Sequence, residues 1–143
     1  MRRAPYCQWD VFGHPVYATH GDTNLDVGNP SKNINIEKIH TQMKTINLAR
    51  ISRELPPYKV FMTGHVHQGF HLPLPTADLV VNPALIPIDG YAEGSGYAFS
   101  RPGQTMYEST EHHPVGDLRF FHVEPKTFKD RSLDGIILPF RDF

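Results

Sequence analysis

Cysteine is almost absent: Cys7 is the only one in 143 residues. A single thiol excludes an internal disulfide framework and a thiolate zinc cluster, and it suits a reducing compartment. A dominant charge is absent too. Lys plus Arg number 14 and Asp plus Glu 15, so there is no global basic field for nucleic acid and no acidic tail. No apolar run approaches the roughly 20 residues that a membrane-spanning helix needs. The opening "MRRAPYCQWD" has two arginines with no apolar stretch behind them, unlike a signal peptide. The expectation is a soluble, cytoplasmic protein the size of one ordinary domain, with no membrane partner. Internal repeats and low-complexity segments are also missing.

Turn formers and histidines are abundant. The chain has 13 prolines and 11 glycines, so it changes direction often. It also has nine histidines, a high number for this length, and histidine is the commonest protein metal ligand.

Hydrophobic periodicity predicts a short order of elements. In "WDVFGHPVYATHGD", apolar residues flank a tight turn, and Val16, Tyr17 and Ala18 make a buried strand ending at Thr19 and His20. "TNLDVGNPSKN" is a loop. One long helix follows. Ile36, Ile39, Met43 and Ile46 recur at helical spacing, and Leu48, Ile51 and Leu55 are read as widening that stripe. Asn35 is the N-cap, Glu37 suits the first turn, and Pro56–Pro57 is expected to stop the helix. "KVFMTG" and "ADLVVNPAL" are further strands, the first with Val60 and Phe61 in the core. "DGYAEGSGYAFSRPGQ" reads as a Gly-rich loop, in which Arg101 could meet a phosphate. "QTMYEST" and "GDLRFFHVEP" alternate as strands, and "KTFKDRSLDGIILPFRDF" is a partly apolar tail. The pattern alone leaves α/β and α+β layering open: a mostly β sheet with one covering helix.

Three histidines fall where chemistry gathers in layered α/β proteins, just beyond strand ends. His20 ends one strand, and His65 and His67 follow another. Gly21 and Gly64 stand beside them, where glycine permits unusual backbone angles and close approach. The metal reading lets the three imidazoles converge on divalent ions. The bland reading makes His65 and His67 solvated turn residues. The other histidines read as structural or exposed: His14 in a turn, His40 at the helix stripe's boundary, His112 and His113 in a loop, and His122 along a strand, while His71 is near enough to stand behind the ligands but is not expected to.

"VYATHGD", then "VFMTGHVHQ" after a helix, then "ADLVVNP" resembles the C-terminal half of the calcineurin-like metallophosphoesterases. The resemblance spans residues 11–84, with residues 85–143 as later strands and tail of one partial domain. It implies an α/β sandwich of the metallophosphoesterase type and hydrolysis of phosphomonoesters or phosphodiesters, nucleic acid among the substrates. It also implies Mn, Fe, Co or Zn as cofactor. His20 and His65 match ligands of a second metal, His67 a ligand of the first, and Asn82–Pro83 a structural turn. Asp22 receives no role. Such sites hold two ions roughly 3.5–4 Å apart that clamp a phosphate and activate water for in-line attack.

The family's earlier motifs, Asp-x-His, Gly-Asp and Gly-Asn-His, are not found in order, and with them go most of the expected carboxylates. The sequence therefore predicts a half-domain completed by a complementary polypeptide that carries those motifs. The alternatives are a non-catalytic structural or assembly subunit derived from a metallophosphoesterase, and a homo-oligomer sharing a metal across a symmetry axis.

Overall fold

The computed structural model describes residues 5–28, 34–85 and 101–123. Most of the Gly-rich stretch and the whole apolar tail lie outside these residues. The elements run β1 (Tyr6–Val11), β2 (His14–Thr19), α1 (Ile36–Ile51), β3 (Val60–Thr63), β4 (Phe70–Pro73), β5 (Asp78–Val81), β6 (Gly103–Tyr107) and β7 (Leu118–His122). The first five strands form one sheet in the order β1-β2-β3-β5-β4, and β6 and β7 form a separate antiparallel pair. In the large sheet β2, β3 and β5 are parallel, with an antiparallel strand on each edge. This is an α/β fold.

The sequence dictates each of these pieces locally. Phe12 and Gly13 both take positive φ, 51° and 79°, and Val11 pairs with His14 across them. That is the two-residue turn whose twist suits a hairpin. Asp10 Oδ1 accepts the Gly13 N–H at 2.8 Å. At the start of α1, the Asn35 side chain accepts the Lys38 N–H at 2.9 Å, satisfying an otherwise orphaned donor. The helix stops earlier than the prolines require. Ser52 caps it, and Glu54 turns the chain with φ 60° before Pro56 is reached.

Alternate residues of the central strands serve two cores. Tyr17, Phe61, Leu79 and Val81 face α1 and pack with Ile39, Met43, Leu25 and Val27. Val16, Val60 and Val80 face the β6–β7 hairpin side, with Tyr107 and Leu118 against them. A sheet covered on both faces needs apolar residues at consecutive positions, which is why "VFM" and "LVV" read as unbroken runs. Three details depart from the sequence reading. Strand β4 was not foreseen. Ile36, Leu48, Ile51 and Leu55 are exposed rather than part of the helix's buried stripe. Asn47 is buried instead, and its amide exchanges two hydrogen bonds with the Tyr58 backbone, at 2.8 and 3.1 Å. Among the described residues no helix is long and apolar enough to cross a membrane.

Candidate metal centre

Parallel strands β2 and β3 lie side by side, so the loops that leave their C-terminal ends meet. The Gly64 N–H donates to the His20 carbonyl at 3.0 Å and locks the two loops together. Gly21 makes this approach possible. Its φ is 113°, and a Cβ there would stand 3.2 Å from His65 Cβ, 3.2 Å from Val27 Cγ2 and 3.3 Å from the Gly64 carbonyl oxygen. Gly64 is different, because a Cβ on it would meet nothing closer than 3.8 Å. Only one of the two flanking glycines is therefore demanded by the geometry.

In the second loop the unusual backbone belongs to the histidines. His65 has φ 68° and His67 φ 58°, conformations that cost a non-glycine residue about 1–2 kcal/mol each. Between them Val66 is fully buried in the helix-side core. The pattern "HVH" is thus a pivot: the valine is driven inward, and a histidine is left on either side of it. Strain of this kind persists where the surrounding structure over-determines it, often at functional sites.

The structure brings His20, Asp22 and His65 into one group, with one ligand atom from each lying within 4.8 Å of the others. His20 Nε2 and His65 Nδ1 are 3.2 Å apart, and the rings meet edge to face at 72°. Two nitrogens bound to one ion at 2.0–2.1 Å with a tetrahedral angle would stand about 3.3 Å apart. The observed spacing fits that. It fits equally an N–H of one ring donating to the other, which is how the pair satisfies itself without an ion. His67 follows two residues after His65 on the same loop and is half-buried, outside this group of three. Asp22 is the residue that sequence reasoning left without a role. Its signal was position: a carboxylate two residues past a candidate ligand, on the same loop.

The loop of residues 20–28 is fastened to the body of the fold. Leu25 and Val27 are fully buried, and the Val27 N–H donates to the Gly21 carbonyl at 3.0 Å. Asp26 accepts from Lys38 Nζ at 2.6 Å and from the Gly28 N–H at 2.9 Å, while its own N–H donates to Gln42 Oε1 at 3.2 Å. The Lys38 hydrogen bond is the main reason that the Asp26 carboxyl lies below its ordinary pKa, with the Gly28 N–H second.

The remaining histidines do other work. His71 Nε2 pairs with Asp78 Oδ1 at 2.7 Å between β4 and β5. His14 Nε2 contacts the Thr110 carbonyl at 2.8 Å. His112, His113 and His122 are exposed. Asn82 continues the rim as a clamp: its Oδ1 accepts the Thr105 N–H at 2.7 Å and its amide donates to Gln104 at 3.2 Å, tying the end of β5 to β6.

No protein-family model matches this sequence, and no curated protein matches it. Among solved structures it is similar to a single mutant of Vps29 from Entamoeba histolytica. The two are 9% identical, with a TM-score of 0.51 over 82% of this chain and 61% of that one. This chain therefore spans less than two thirds of that protein's length. At such low identity the likeness concerns the fold alone. That fold is an α/β arrangement similar to the phosphoesterase-like fold of Vps29.

Proposed function

We propose that this chain contributes one ion site of a metal-dependent phosphoesterase, held by His20, His65 and Asp22 with His67 beside it. The 3.2 Å approach of His20 Nε2 to His65 Nδ1 carries the reading. Nitrogen and carboxylate donors together suit Mn, Fe, Co or Zn. When bound, such an ion supplies Lewis acidity toward a phosphoryl oxygen and makes water more acidic. The chain's own residues do the rest. The imidazoles bind in their neutral form, Asp22 offsets part of the ion's charge, and Gly21 holds the two loops close enough for a shared ligand set. His20 and Asp22 are exposed, so the site is open to further ligands and to substrate.

Among the described residues this group fits one ion and not two. The carboxylates that a two-ion centre needs would come from a complementary polypeptide bearing Asp-x-His, Gly-Asp and Gly-Asn-His motifs. Phosphomonoester or phosphodiester hydrolysis would then require both. A second reading is a non-catalytic assembly subunit. The small carboxylate count favours it, as do exposed apolar side chains such as Trp9 and Phe12, 42% and 63% accessible.

Metal content tests the first step. The chain is dialysed separately against manganese and zinc, and bound ions are counted by elemental analysis. About one ion per chain is expected, with loss in a His20→Ala, His65→Ala, His67→Ala triple variant. Equal content in the two proteins would overturn the ion site. Hydrolysis of a generic phosphodiester only after mixing with a chain bearing the other motifs would separate enzyme from assembly subunit.

A further inference from the structure

The β6–β7 hairpin closes against the His-x-His loop and leaves a cavity of about 320 Å³ between them. It is lined by Gln68, Gly69, Pro83, Arg101, Phe120 and His122. Its construction is specific. A Cβ at Gly69 would meet Phe120 ring atoms at 2.8 and 2.9 Å and Pro83 Cδ at 2.9 Å, so the ring can lie over this loop only because residue 69 is glycine. The hairpin is held by the Asn82 clamp and by the Gly103 N–H donating to the Ala84 carbonyl at 2.9 Å. Gly103 pairs with His122, and the Val123 N–H donates to the Pro102 carbonyl at 2.8 Å. These contacts bring Arg101 and His122 to the same end of the hairpin.

The lining divides by chemistry. Arg101, His122 and Gln68 offer N–H donors, and none of the six residues is acidic. Phe120 is 40% accessible, so part of its ring remains uncovered, and Pro83 adds a second apolar surface. A guanidinium recognises a phosphate by paired N–H donors, and a partly open aromatic ring accepts a stacked planar group. We propose that this cavity binds a phosphate carried on a planar ring, the chemistry shared by aryl phosphates and nucleotides. Gln68 directly follows His67, so the cavity borders the loop of the proposed ion site. Its role as that site's substrate-recognition pocket rests on the function proposed above, whereas the binding itself does not.

The test is a titration of the ¹⁵N-labelled full chain in EDTA with phenyl phosphate, adenosine monophosphate or inorganic phosphate, followed by amide shifts. Saturable shifts are expected at Gln68, Gly69 and His122. Inorganic phosphate should bind about tenfold more weakly than phenyl phosphate, because it lacks the ring. Arg101→Ala should weaken phenyl phosphate by about tenfold with the rest of the spectrum unchanged. Phe120→Leu should bring phenyl phosphate down to the affinity of inorganic phosphate. Tighter binding of adenosine monophosphate would assign the pocket to nucleotides, and equal or weaker binding to simple aryl phosphates. Absence of saturation, or indifference to Arg101→Ala, would overturn the proposal, and equal affinity for inorganic phosphate would overturn its ring component. Because EDTA removes the ion, failure of metal uptake would sink the ion site and leave this result standing.

Discussion

The two loops that meet at the candidate centre achieve rigidity by different means. The loop of residues 20–28 carries His20 and Asp22 at its start and its buried anchors, Leu25 and Val27, further on. Its ligands stay exposed and are steadied from a distance. The loop of residues 64–69 places its anchor, Val66, directly between two histidines, and His65 is half-buried. In the first loop glycine absorbs the unusual backbone angle, while in the second the histidines take it themselves. Precision in the second loop is therefore local and tied to strain, and in the first it depends on packing several residues away.

Truncating the two anchors tests that contrast most severely. Leu25→Ala removes a fully buried leucine and should cost about 2–5 kcal/mol in a denaturant melt. Val66→Ala removes less buried apolar area and should cost about 2 kcal/mol. Metal affinity should follow the opposite order. Val66 fixes its neighbouring histidine directly, whereas Leu25 acts on Asp22 through two intervening residues. Isothermal titration with zinc on both variants, under conditions where each remains folded, reads the order. If Leu25→Ala is the more damaging to zinc binding, the loops do not differ as described.

Gly21→Ala should come next. Its φ of 113° and the 3.2 Å approach to His65 Cβ combine left-handed strain with overpacking, for about 2–4 kcal/mol. Gly64→Ala is the matched control, because a Cβ there meets only ordinary contacts at 3.8 Å. A loss well under 1 kcal/mol is expected from it. Equal losses in the two melts would mean that the close approach is not set by Gly21.

These particular residues also mark how far the sequence was legible. Strands β2, β3 and β5 were readable because a sheet buried on both faces needs consecutive apolar residues, and "VFM" and "LVV" are such runs. Strand β4 was not, because "FHLP" is four residues long, ends in proline and pairs on one side only at a sheet edge. The helix was readable but its face was drawn too wide. At 3.6 residues per turn, Leu48 lies about 180° around the axis from Ile39, and it is accordingly exposed. At the candidate centre, spacing singled out two strand ends, and parallel pairing of β2 with β3 brings His20 to His65. Asp22 was given no role because proximity across two loops depends on the turn at Gly21, which no periodicity encodes.

The smallest expected effect concerns how the first loop is tied to α1. Lys38 sits in the helix's first turn, where a positive charge opposes the macrodipole, so its benefit must come from Asp26. Both side chains are substantially exposed, 52% for Lys38 and 34% for Asp26, which holds the pair to about 0.2–1 kcal/mol. The folded-state pKa of Asp26 is lowered from the ordinary 3.8. Its contribution is therefore fully present above that value and is lost as pH falls through the lower, folded one. Lys38→Met should destabilise by about 0.5 kcal/mol near pH 7, and the difference from wild type should shrink below pH 3.8 as the carboxyl becomes protonated. In an Asp26→Asn background the same substitution should cost nothing, because Asn retains the acceptor for the Gly28 N–H while losing the charge. A double-mutant cycle at pH 7 and at successively lower pH below 3.8 measures this directly. A coupling that does not decline as pH falls would mean that Lys38 steadies the loop by packing its stem rather than by its charge.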